Sequence, residues 1–457
     1  MTTPVVAVVG GGQLARMMQE EASALGIHLR VLVESGEGSA GQVTVDAPVG
    51  AADDATALRR LVSGRHGEEA EGARGFCAGQ AADVLTFEHE HQDTSLLTSL
   101  QSEGLSVQPS PQALLLAQDK RVMRQAVARA GLPQPAWAEV GAMAGGTVRR
   151  AGTSAAEAVP ESTAGVTADT MAADVRAFAE VHGWPVVLKT PRGGYDGHGV
   201  LLVHDAAALD EGPARDWLTA VAAAAAGDTG SSTGGGGSLG GGAVTSLLVE
   251  QAVPFSRELA VLVARSPRGQ VEAWPAVQTV QASGMCVEAV APAPGLDPVA
   301  AEEAQRIART VAEEFQVTGV LAVEMFCVEE PDGPARLYVN ELATRPHNSG
   351  HWTQDGAVTS QFAQHLRAVL GLPLGSAALT AAATVMVNLL GGPQPPGEDA
   401  LARALALEPR ARIHLYGKSW RPGRKLGHVN LTVAPTETPQ DALERAREVV
   451  AVLRGEG

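Results

Sequence analysis

The N-terminal segment constrains the fold of this chain more than any other part of it. Val5–Val9 is a wholly apolar run, as expected of a parallel strand covered on both faces. Three consecutive glycines follow at 10–12, and residues 13–25 then carry apolar side chains at helical spacing. Two more strands are predicted at 29–33 and 83–87, which are rich in Val and Leu. Strand, glycine turn, helix and strand in this order open a doubly wound α/β domain.

The glycine turn itself allows two interpretations. It fits a loose G-x-G-x-x-A pattern that ends at Ala15. One interpretation is a backbone pocket at a helix N-terminus that holds an anion, and the other is a tight turn that only packs. The position between a strand and a helix favours the anion site. A bound dinucleotide does not follow, because the candidate ribose-binding acid, Glu34 at the end of the second strand, is not convincing.

The composition narrows the choice of partners. The 457 residues carry 34 Lys and Arg against 51 Asp and Glu, a formal net charge of −17. Such a surface repels nucleic acids and anionic membranes, so we expect neither as a partner. The chain shows no cationic leader and no apolar run of the roughly 20 residues that span a membrane. A cytoplasmic location is therefore expected, and three widely spaced cysteines predict neither disulfides nor a zinc site.

Two stretches have the composition of surface insertions. Residues 141–170 are rich in Ala, Gly, Thr and Ser, and residues 222–246 contain two runs of consecutive glycines. Segments of this kind behave as flexible connections, so we predict that neither carries chemistry.

Residues 189–199 read Lys-Thr-Pro-Arg-Gly-Gly-Tyr-Asp-Gly-His-Gly. Four glycines within seven residues, between two predicted strands, indicate a hairpin whose backbone amides approach phosphates closely. Lys189 ends the preceding strand and is positioned to supply a point charge to those phosphates. An ordinary glycine-rich hairpin is the alternative, but the length and the strand-end lysine favour a nucleotide lid.

Two predicted strands carry carboxylates close to their ends. Alternation along residues 320–326 places Glu324 on the face of apolar residues, and Glu341 closes the strand that begins at Leu337. The connection between them suits a hairpin turn, which would set both carboxylates and Asn340 side by side. Carboxylates buried in this way are costly unless they are paired or bind a metal. Hard oxygen ligands suit Mg²⁺ on nucleotide phosphates, and buried salt bridges are the alternative.

Two charged clusters complete the set of candidate sites. Residues 418–425 carry four fixed cations in a strongly acidic chain. A solvated turn is the simplest interpretation, but the local reversal of charge favours phosphate binding. Residues 88–91 read Glu-His-Glu-His, which invites a metal interpretation. We favour carboxylates that hold ribose hydroxyls, because the segment ends a strand.

Together these segments resemble one family, the 5-(carboxyamino)imidazole ribonucleotide synthases, which are ATP-grasp enzymes of purine biosynthesis. The resemblance covers nearly the whole chain outside the insertions. It is carried by Gly-Gly-Gly-Gln-Leu at 10–14, Gly-Gly-Tyr-Asp-Gly at 193–197, Asn-Glu-Leu-Ala at 340–343, His-Asn-Ser-Gly-His-Trp-Thr at 347–353 and Arg-Pro-Gly-Arg-Lys at 421–425. The last two segments are typical of this family rather than of ATP-grasp enzymes at large.

The resemblance implies an ATP-grasp fold of class α/β, in a subunit that is usually a homodimer. It implies an N-terminal Rossmann-like domain over residues 1–117, an ATP-grasp domain over 118–380 and a small C-terminal mixed α/β domain over 381–457. The implied reaction uses ATP, Mg²⁺ (or Mn²⁺) and bicarbonate to carboxylate the amine of 5-aminoimidazole ribonucleotide. It proceeds through carboxyphosphate and releases ADP and phosphate.

The resemblance also implies roles for individual residues. The ATP-binding positions are Lys120, Lys189, Gly194, Tyr195, Asp196, Gly197, His198, Gly199, Glu250, Gln251, Ala252, Val253, Glu258, Asn340 and Glu341. The metal ligands are Glu324 and Glu341, with Asn340 beside them. The ribonucleotide positions are Gly12, Gln13, Leu14, Glu88, Asp196, Lys418, Arg424 and Lys425. Candidates to hold the carboxyl group are Tyr195, Arg345 and His347, and candidates for the base are Asp196 and His347.

Several positions depart from the family pattern. His198 stands where the family has Arg or Lys, so a fixed positive charge becomes pH-dependent. Gln278, Gln281, Thr344 and Pro346 also replace the residues common at their positions. These departures affect details of substrate contact and leave the predicted metal ligands and phosphate cations in place.

Other functions remain open on the sequence alone. The nearest is a formate-dependent glycinamide ribonucleotide transformylase, which shares the ATP-grasp plan, but the segments at 347–353 and 421–425 argue against it. A dinucleotide-binding oxidoreductase would leave the paired strand carboxylates unexplained. A non-catalytic nucleotide sensor would gain nothing from both Glu324 and Glu341.

Overall fold

The computed structural model describes residues 3–64, 79–141, 166–194, 198–227, 244–282, 284–330 and 333–456. Most of both predicted insertions lies outside these ranges, as do Tyr195, Asp196 and Gly197 of the predicted lid. Among the described residues, three sheets form the framework of the molecule.

The N-terminal elements confirm the predicted doubly wound opening. They are β1 (Val5–Val9), α1 (Gln13–Leu25), β2 (His28–Leu32), α2 (Ala55–Ser63), β3 (Val84–Phe87), α3 (Thr94–Ser102) and α4 (Pro111–Gln118). The three strands are parallel in the order β2-β1-β3. Every residue of β1 is buried, because helices cover both faces of a parallel sheet. Helix α1 ends where Gly26 adopts a left-handed conformation, with φ of 68°.

The central region contains most of the helices and strands. They are α5 (Lys120–Arg129), β4 (Trp137–Val140), α6 (Ala168–His182), β5 (Val186–Lys189), β6 (Val200–Val203), α7 (Pro213–Ala225), β7 (Leu247–Gln251), β8 (Arg257–Arg265), β9 (Val271–Ala273), β10 (Val277–Ala282), β11 (Met285–Ala291), α8 (Pro298–Glu314), β12 (Gly319–Val328), β13 (Arg336–Ala343), α9 (Thr353–Gly356) and α10 (Gln361–Val369).

A four-stranded antiparallel sheet, in the order β4-β7-β5-β6, carries the predicted lid. Strands β5 and β6 form the predicted hairpin arms, with Lys189 paired to Val200. One face of the sheet packs on α6 and α7 through buried apolar residues that include Val175, Trp217 and Leu218. The sheet therefore holds Lys189 on a fixed strand at the base of the lid.

The C-terminal strands continue a sheet that begins in the central region. The C-terminal elements are β14 (Thr384–Leu390), α11 (Ala400–Leu407), β15 (Arg412–Leu415), β16 (Lys425–Thr432) and α12 (Pro439–Leu453). Together with central strands they form a nine-stranded sheet in the order β13-β12-β8-β10-β11-β14-β16-β15, with β9 on β8. Because β14 pairs with β11, the basic turn between β15 and β16 is fixed relative to the predicted metal ligands.

The β12–β13 hairpin confirms the predicted placement of the two carboxylates. The strands are antiparallel, and Glu324 lies directly opposite Glu341. The register shifts after Glu324, so that Met325 pairs with Val339 and Asn340 is the extra residue of a bulge. Two carboxylates and one amide are thus adjacent on one edge of the nine-stranded sheet.

In the part of the chain that the structure describes, no helix is both long and apolar enough to cross a membrane.

Candidate active site

A cleft of about 1300 Å³ opens between the N-terminal domain, both central sheets and the C-terminal strands. It gathers most of the residues that the sequence predicted. The predicted residues that line it are Gln13, Leu14, Glu88, Lys189, Gly194, His198, Glu250, Gln251, Ala252, Val253, Glu258, Glu324, Asn340, Glu341, Arg345, His347 and Lys425. Residues separated by more than 400 positions in the sequence therefore share one cavity.

Two lysines meet Glu341 and Asn340 of the hairpin at one end of the cleft. Lys120 Nζ lies 3.2 Å from Glu341 Oε1. Lys189 Nζ donates a hydrogen bond of 3.0 Å to Asn340 Oδ1. Burial alone would raise the pKa of Glu341, but Lys120 and Lys189 outweigh it and hold that pKa below its ordinary value. This end of the cleft therefore combines two ammonium groups with acidic oxygen ligands.

The carboxylate of Glu250 is paired with basic side chains inside the protein. The side chain is 2% exposed, and it accepts hydrogen bonds of 2.8 and 2.9 Å from the Arg124 guanidinium. Its Oε2 also lies 2.9 Å from Lys189 Nζ. Although burial opposes ionisation, Arg124 and Lys189 lower the pKa of Glu250 to about 2. The carboxylate thus fixes Lys189, and residues 251–253 follow it along the cleft wall.

Arg124 belongs to this ionic network, although no sequence pattern singled it out. It is fully buried, and besides binding Glu250 it donates a hydrogen bond of 2.6 Å to the backbone oxygen of Val339. Arg124 therefore joins α5, β7 and β13. The available signal was its spacing from Lys120, because residues four apart lie on the same face of a helix.

The hairpin carboxylates do not complete a metal site alone. Among the described residues, no group of three His, Cys, Asp or Glu side chains is arranged to hold a metal ion. Glu324, Glu341 and Asn340 offer oxygen ligands on one edge, and His347 Nε2 lies 3.5 Å from Glu324 Oε1. An ion bound here would need further oxygen ligands, and nucleotide phosphates are the kind that Mg²⁺ takes.

The glycine turn holds an anion, and that anion is a side chain of the protein. Glu88 Oε1 accepts a hydrogen bond of 2.5 Å from the Gly12 amide, and Oε2 accepts one of 3.0 Å from the Ala15 amide. A Cβ atom on Gly12 would lie 2.3 Å from Glu88 Oε1, so the approach requires glycine. Burial raises the pKa of Glu88, and the two amides oppose that rise. The predicted anion pocket is therefore filled from within.

The basic turn lies against the other end of the cleft. Lys418 Nζ donates a hydrogen bond of 2.5 Å to Gln13 Oε1, and Lys425 lines the cavity. Burial lowers the pKa of Lys418. The Arg424 guanidinium bonds to the backbone and hydroxyl oxygens of Ser419 at 3.0 and 2.7 Å. Arg424 therefore shapes the turn, whereas Lys425 lines the cleft and Lys418 binds Gln13 of its lining.

Arg345 and His347 lie between the two ends. Arg345 binds the carboxylate of Glu90 through Nε at 2.7 Å and Nη2 at 3.2 Å. Although burial opposes it, this pairing lowers the pKa of Glu90 to about 2. His347 Nδ1 lies 2.9 Å from Ser349 Oγ. Burial lowers the pKa of His347 to about 3, so its ring is neutral at pH 7.

The described parts of the lid show why glycine is needed there. Gly199 has a φ of 72°, and a Cβ on it would lie 2.3 Å from Thr190 Oγ1. A Cβ on Gly194 would lie 2.9 Å from the backbone oxygen of His198. The two arms of the lid therefore approach too closely for side chains at these positions.

Three segments of the chain match known domain families. Residues 1–66 match the ribonucleotide synthetase preATP-grasp domain, residues 158–362 match the ATP-grasp domain, and residues 384–441 match the phosphoribosylaminoimidazole carboxylase C-terminal domain. The fold and the cleft thus define an ATP-grasp ligase, an enzyme that forms a C–N bond.

Whole-chain relatives narrow the class to one family. The N5-carboxyaminoimidazole ribonucleotide synthase of Mycobacterium tuberculosis is 46% identical, over 93% of this chain and 83% of its own length. That of Corynebacterium ammoniagenes is 39% identical, over 96% and 90%. The chain belongs to the N5-carboxyaminoimidazole ribonucleotide synthase family, which confirms the resemblance read from the sequence.

Solved structures of N5-carboxyaminoimidazole ribonucleotide synthases have the same fold as this chain. The Aspergillus clavatus N5-carboxyaminoimidazole synthase, in complex with ADP and 5-aminoimidazole ribonucleotide, superimposes with a TM-score of 0.74 at 29% identity. The match covers 99% of this chain and 98% of that one. An ADP complex of an N5-carboxyaminoimidazole ribonucleotide synthetase gives a TM-score of 0.75 at 29% identity, over 98% and 97%. The predicted ATP-grasp fold is thereby confirmed.

Replacing Arg124 by Met should destabilise the protein strongly, by about 3 kcal/mol, because it leaves a buried carboxylate short of its main partner. Arg306 is the matched control. Like Arg124 it binds a glutamate through two nitrogens, but its partner, Glu303, lies on the same helix and the pair is exposed. Arg306→Met should cost less than about 0.5 kcal/mol. Chemical unfolding followed by tryptophan fluorescence measures both, and equal losses would contradict the importance of the buried pair.

The stabilisation from Glu250 should depend on pH with a defined sign. Its folded pKa of about 2 lies below the unfolded value of about 4.3. Its contribution is therefore complete above about pH 4.3 and is lost as the pH falls through about 2. The stability difference between the wild type and Glu250→Gln should be constant from pH 5 to 7 and should shrink below about pH 4.3. A difference that grows on acidification would contradict the assignment.

Proposed function

We propose that this chain uses ATP and bicarbonate to carboxylate the amine of 5-aminoimidazole ribonucleotide, with release of ADP and phosphate, in purine biosynthesis. One observation carries the proposal: a single cleft has lysines and hairpin carboxylates at one end and a basic turn at the other. The first end suits a nucleotide triphosphate, and the second suits a phosphorylated substrate. The Aspergillus clavatus relative, whose crystals hold ADP and 5-aminoimidazole ribonucleotide together, supports the same pairing.

At the nucleotide end, the residues of this chain bind and orient. Lys120 and Lys189 are assigned to the phosphates, because both ammonium groups are held at fixed positions before any ligand arrives. The segment Gln251–Val253 is assigned to the adenine. Glu258 lies farther along the same wall and is assigned to the ribose. Partial burial raises the pKa of Glu258, and a ribose hydroxyl would supply the half-buried carboxylate with a hydrogen bond.

The residues at the hairpin also fit Mg²⁺. Glu324 and Glu341 are adjacent carboxylates, and Asn340 adds a neutral oxygen, which is the hard ligand set that this ion prefers. When bound, the ion would neutralise charge on the transferred phosphoryl group. Lys120 contacts Glu341 and Lys189 contacts Asn340, so these two ligands already face an ammonium group without the ion.

At the ribonucleotide end, Lys418 and Lys425 are assigned to the phosphate of the substrate. Gln13 positions Lys418, and Leu14 forms an apolar part of the wall. Glu88 holds the turn that presents Gln13, because its carboxylate caps the start of α1. Gly12 is needed for that contact.

The chemistry requires bicarbonate to attack the γ-phosphate of ATP, which gives carboxyphosphate and ADP. The amine nitrogen then bonds to the carboxyl carbon, the bond from that carbon to the phosphate oxygen breaks, and the nitrogen loses one proton. Arg345, His347 and Tyr195 are assigned to hold the carboxyl group between the two ends. Asp196 and His347 remain the candidates for the base. Closure of the lid would exclude water, which would otherwise hydrolyse carboxyphosphate.

Replacing Glu341 by Gln should abolish ADP release, with a loss of more than about 100-fold, because a hard anionic ligand becomes neutral. Glu330 is the matched control: it follows β12 and pairs with Arg336 on the surface. Glu330→Gln should keep activity within about twofold of the wild type. Near-normal turnover of Glu341→Gln would refute the metal assignment.

The function itself is tested by ADP release with two substrate pairs. We expect release with bicarbonate plus 5-aminoimidazole ribonucleotide, and none with formate plus glycinamide ribonucleotide. Release with only the formate pair would establish the transformylase instead. Release with neither pair would leave a nucleotide sensor.

Three further expectations remain predictions. They are the homodimer, the cytoplasmic location and the domain limits at residues 117/118 and 380/381. Light scattering of the purified protein checks the first, and a mass equal to one chain at micromolar concentration would contradict it.

A further inference from the structure

The loop that carries Lys418 is attached to the N-terminal domain by Ser39 and Gln42, two residues without a predicted role in binding. Residues 416–424 connect β15 to β16. Besides the bond from Lys418 to Gln13, the two preceding residues also bind the N-terminal domain. Ser39 Oγ donates a hydrogen bond of 2.6 Å to the backbone oxygen of Tyr416. Gln42 Nε2 donates one of 2.7 Å to the backbone oxygen of Gly417.

The N-terminal partner of this loop is itself well fixed. Ser39 and Gln42 belong to a turn between β2 and α2, and Arg16 of α1 holds both of them. Arg16 Nη1 donates to the backbone oxygen of Ser39 at 2.9 Å and to Gln42 Oε1 at 3.3 Å. The Ala40 amide donates to the backbone oxygen of Gly11 at 3.0 Å. The turn is thus tied to the same glycine turn and helix that present Gln13.

The two surfaces fit closely at Gly417. This residue has a φ of 65°, and a Cβ on it would lie 2.2 Å from Gln42 Oε1 and 2.7 Å from Arg16 Nη1. The backbone of the loop therefore approaches the Gln42 side chain as nearly as a residue without a side chain allows.

Tyr416 makes the start of the loop rigid. Its side chain is 1% exposed, its hydroxyl lies 2.8 Å from His428 Nδ1 of β16, and its ring centre lies 5.9 Å from Lys418 Nζ. The backbone oxygen of Tyr416 is held by Ser39 and its ring is held by β16. The position of Lys418 follows from these contacts, because it is only two residues further along.

We propose that Ser39 and Gln42 are positioning residues, which hold the loop 416–418 so that Lys418 meets the phosphate of the ribonucleotide in a preformed site. The proposal rests on the function proposed above. A lysine on a loose loop loses conformational freedom when it binds, and a loop held beforehand avoids that cost. Neither residue reaches the cleft, so their effect on binding would pass through Lys418.

The test is the pair of substitutions Ser39→Ala and Gln42→Ala in the full chain. We expect KM for 5-aminoimidazole ribonucleotide to rise roughly tenfold, since two hydrogen bonds are lost. KM for ATP and kcat should stay within about twofold, because the nucleotide end is untouched. Gln42→Ala alone, at an exposed position, should raise the same KM about threefold and serves if the double variant folds poorly.

The matched control is Gln19→Ala with Ser23→Ala. They are likewise a glutamine and a serine of the N-terminal domain, but in the described part of the chain their side chains bond to each other and to the α1 backbone. This variant should leave both KM values unchanged. A structural defect without a positioning effect would instead lower the active fraction, and so kcat, with no selective change in KM.

The Lys418→Ala variant, used as a second background, distinguishes failure of the positioning role from failure of the phosphate assignment of Lys418. Lys418→Ala should itself raise KM for the ribonucleotide, and adding the Ser39 and Gln42 substitutions to it should change KM by less than about twofold. An equal further rise in that background, or an unchanged KM in the wild-type background, would overturn the positioning role alone. If Lys418→Ala leaves KM unchanged, the phosphate assignment of Lys418 fails, and the positioning role fails with it.

Discussion

The cleft depends on one feature of register, the direct opposition of Glu324 and Glu341 on β12 and β13. Like charges at facing positions of a sheet repel each other, so this arrangement requires compensation. Here it comes from other elements: Lys120 begins α5, and Lys189 ends β5 on a different sheet. The pairing that balances the hairpin therefore also fixes the four-stranded sheet beside the nine-stranded one, which creates the cleft between them.

The same compensation continues away from the hairpin. Lys189 is shared between Asn340 and Glu250, and Arg124 provides the remaining partner of Glu250. Each buried charge thus has a partner of opposite sign, which a buried ionic network needs if it is not to destabilise the fold. A consequence for function is that the lysine ammonium groups stand at defined positions before a nucleotide binds. Preorganised charges of this kind need little rearrangement during phosphoryl transfer.

The sequence predicted what depends on local periodicity and missed what depends on distant contacts. Alternation along residues 320–326 located Glu324 on β12, where the structure places it opposite Glu341. The glycine turn predicted an anion at the start of α1, because exposed amides attract one, but it did not identify Glu88 as that anion. Arg124 and Ser39 were missed for a similar reason. Ser39 binds a residue 377 positions away, and no local pattern records such a contact.

The two halves of the cleft belong to different parts of the chain, and they meet at Arg345. The nucleotide half is built from α5, β5, β7 and the β12–β13 hairpin, whereas the ribonucleotide half is built from the N-terminal domain and the basic turn. Arg345 follows β13 but binds Glu90 of the N-terminal domain, at 2.7 and 3.2 Å. In the proposed reaction a carboxyl group passes from the first half to the second. A guanidinium fixed to both halves is well positioned to meet that group in transit, so the contact of Arg345 that joins the two halves also sets its place in the reaction.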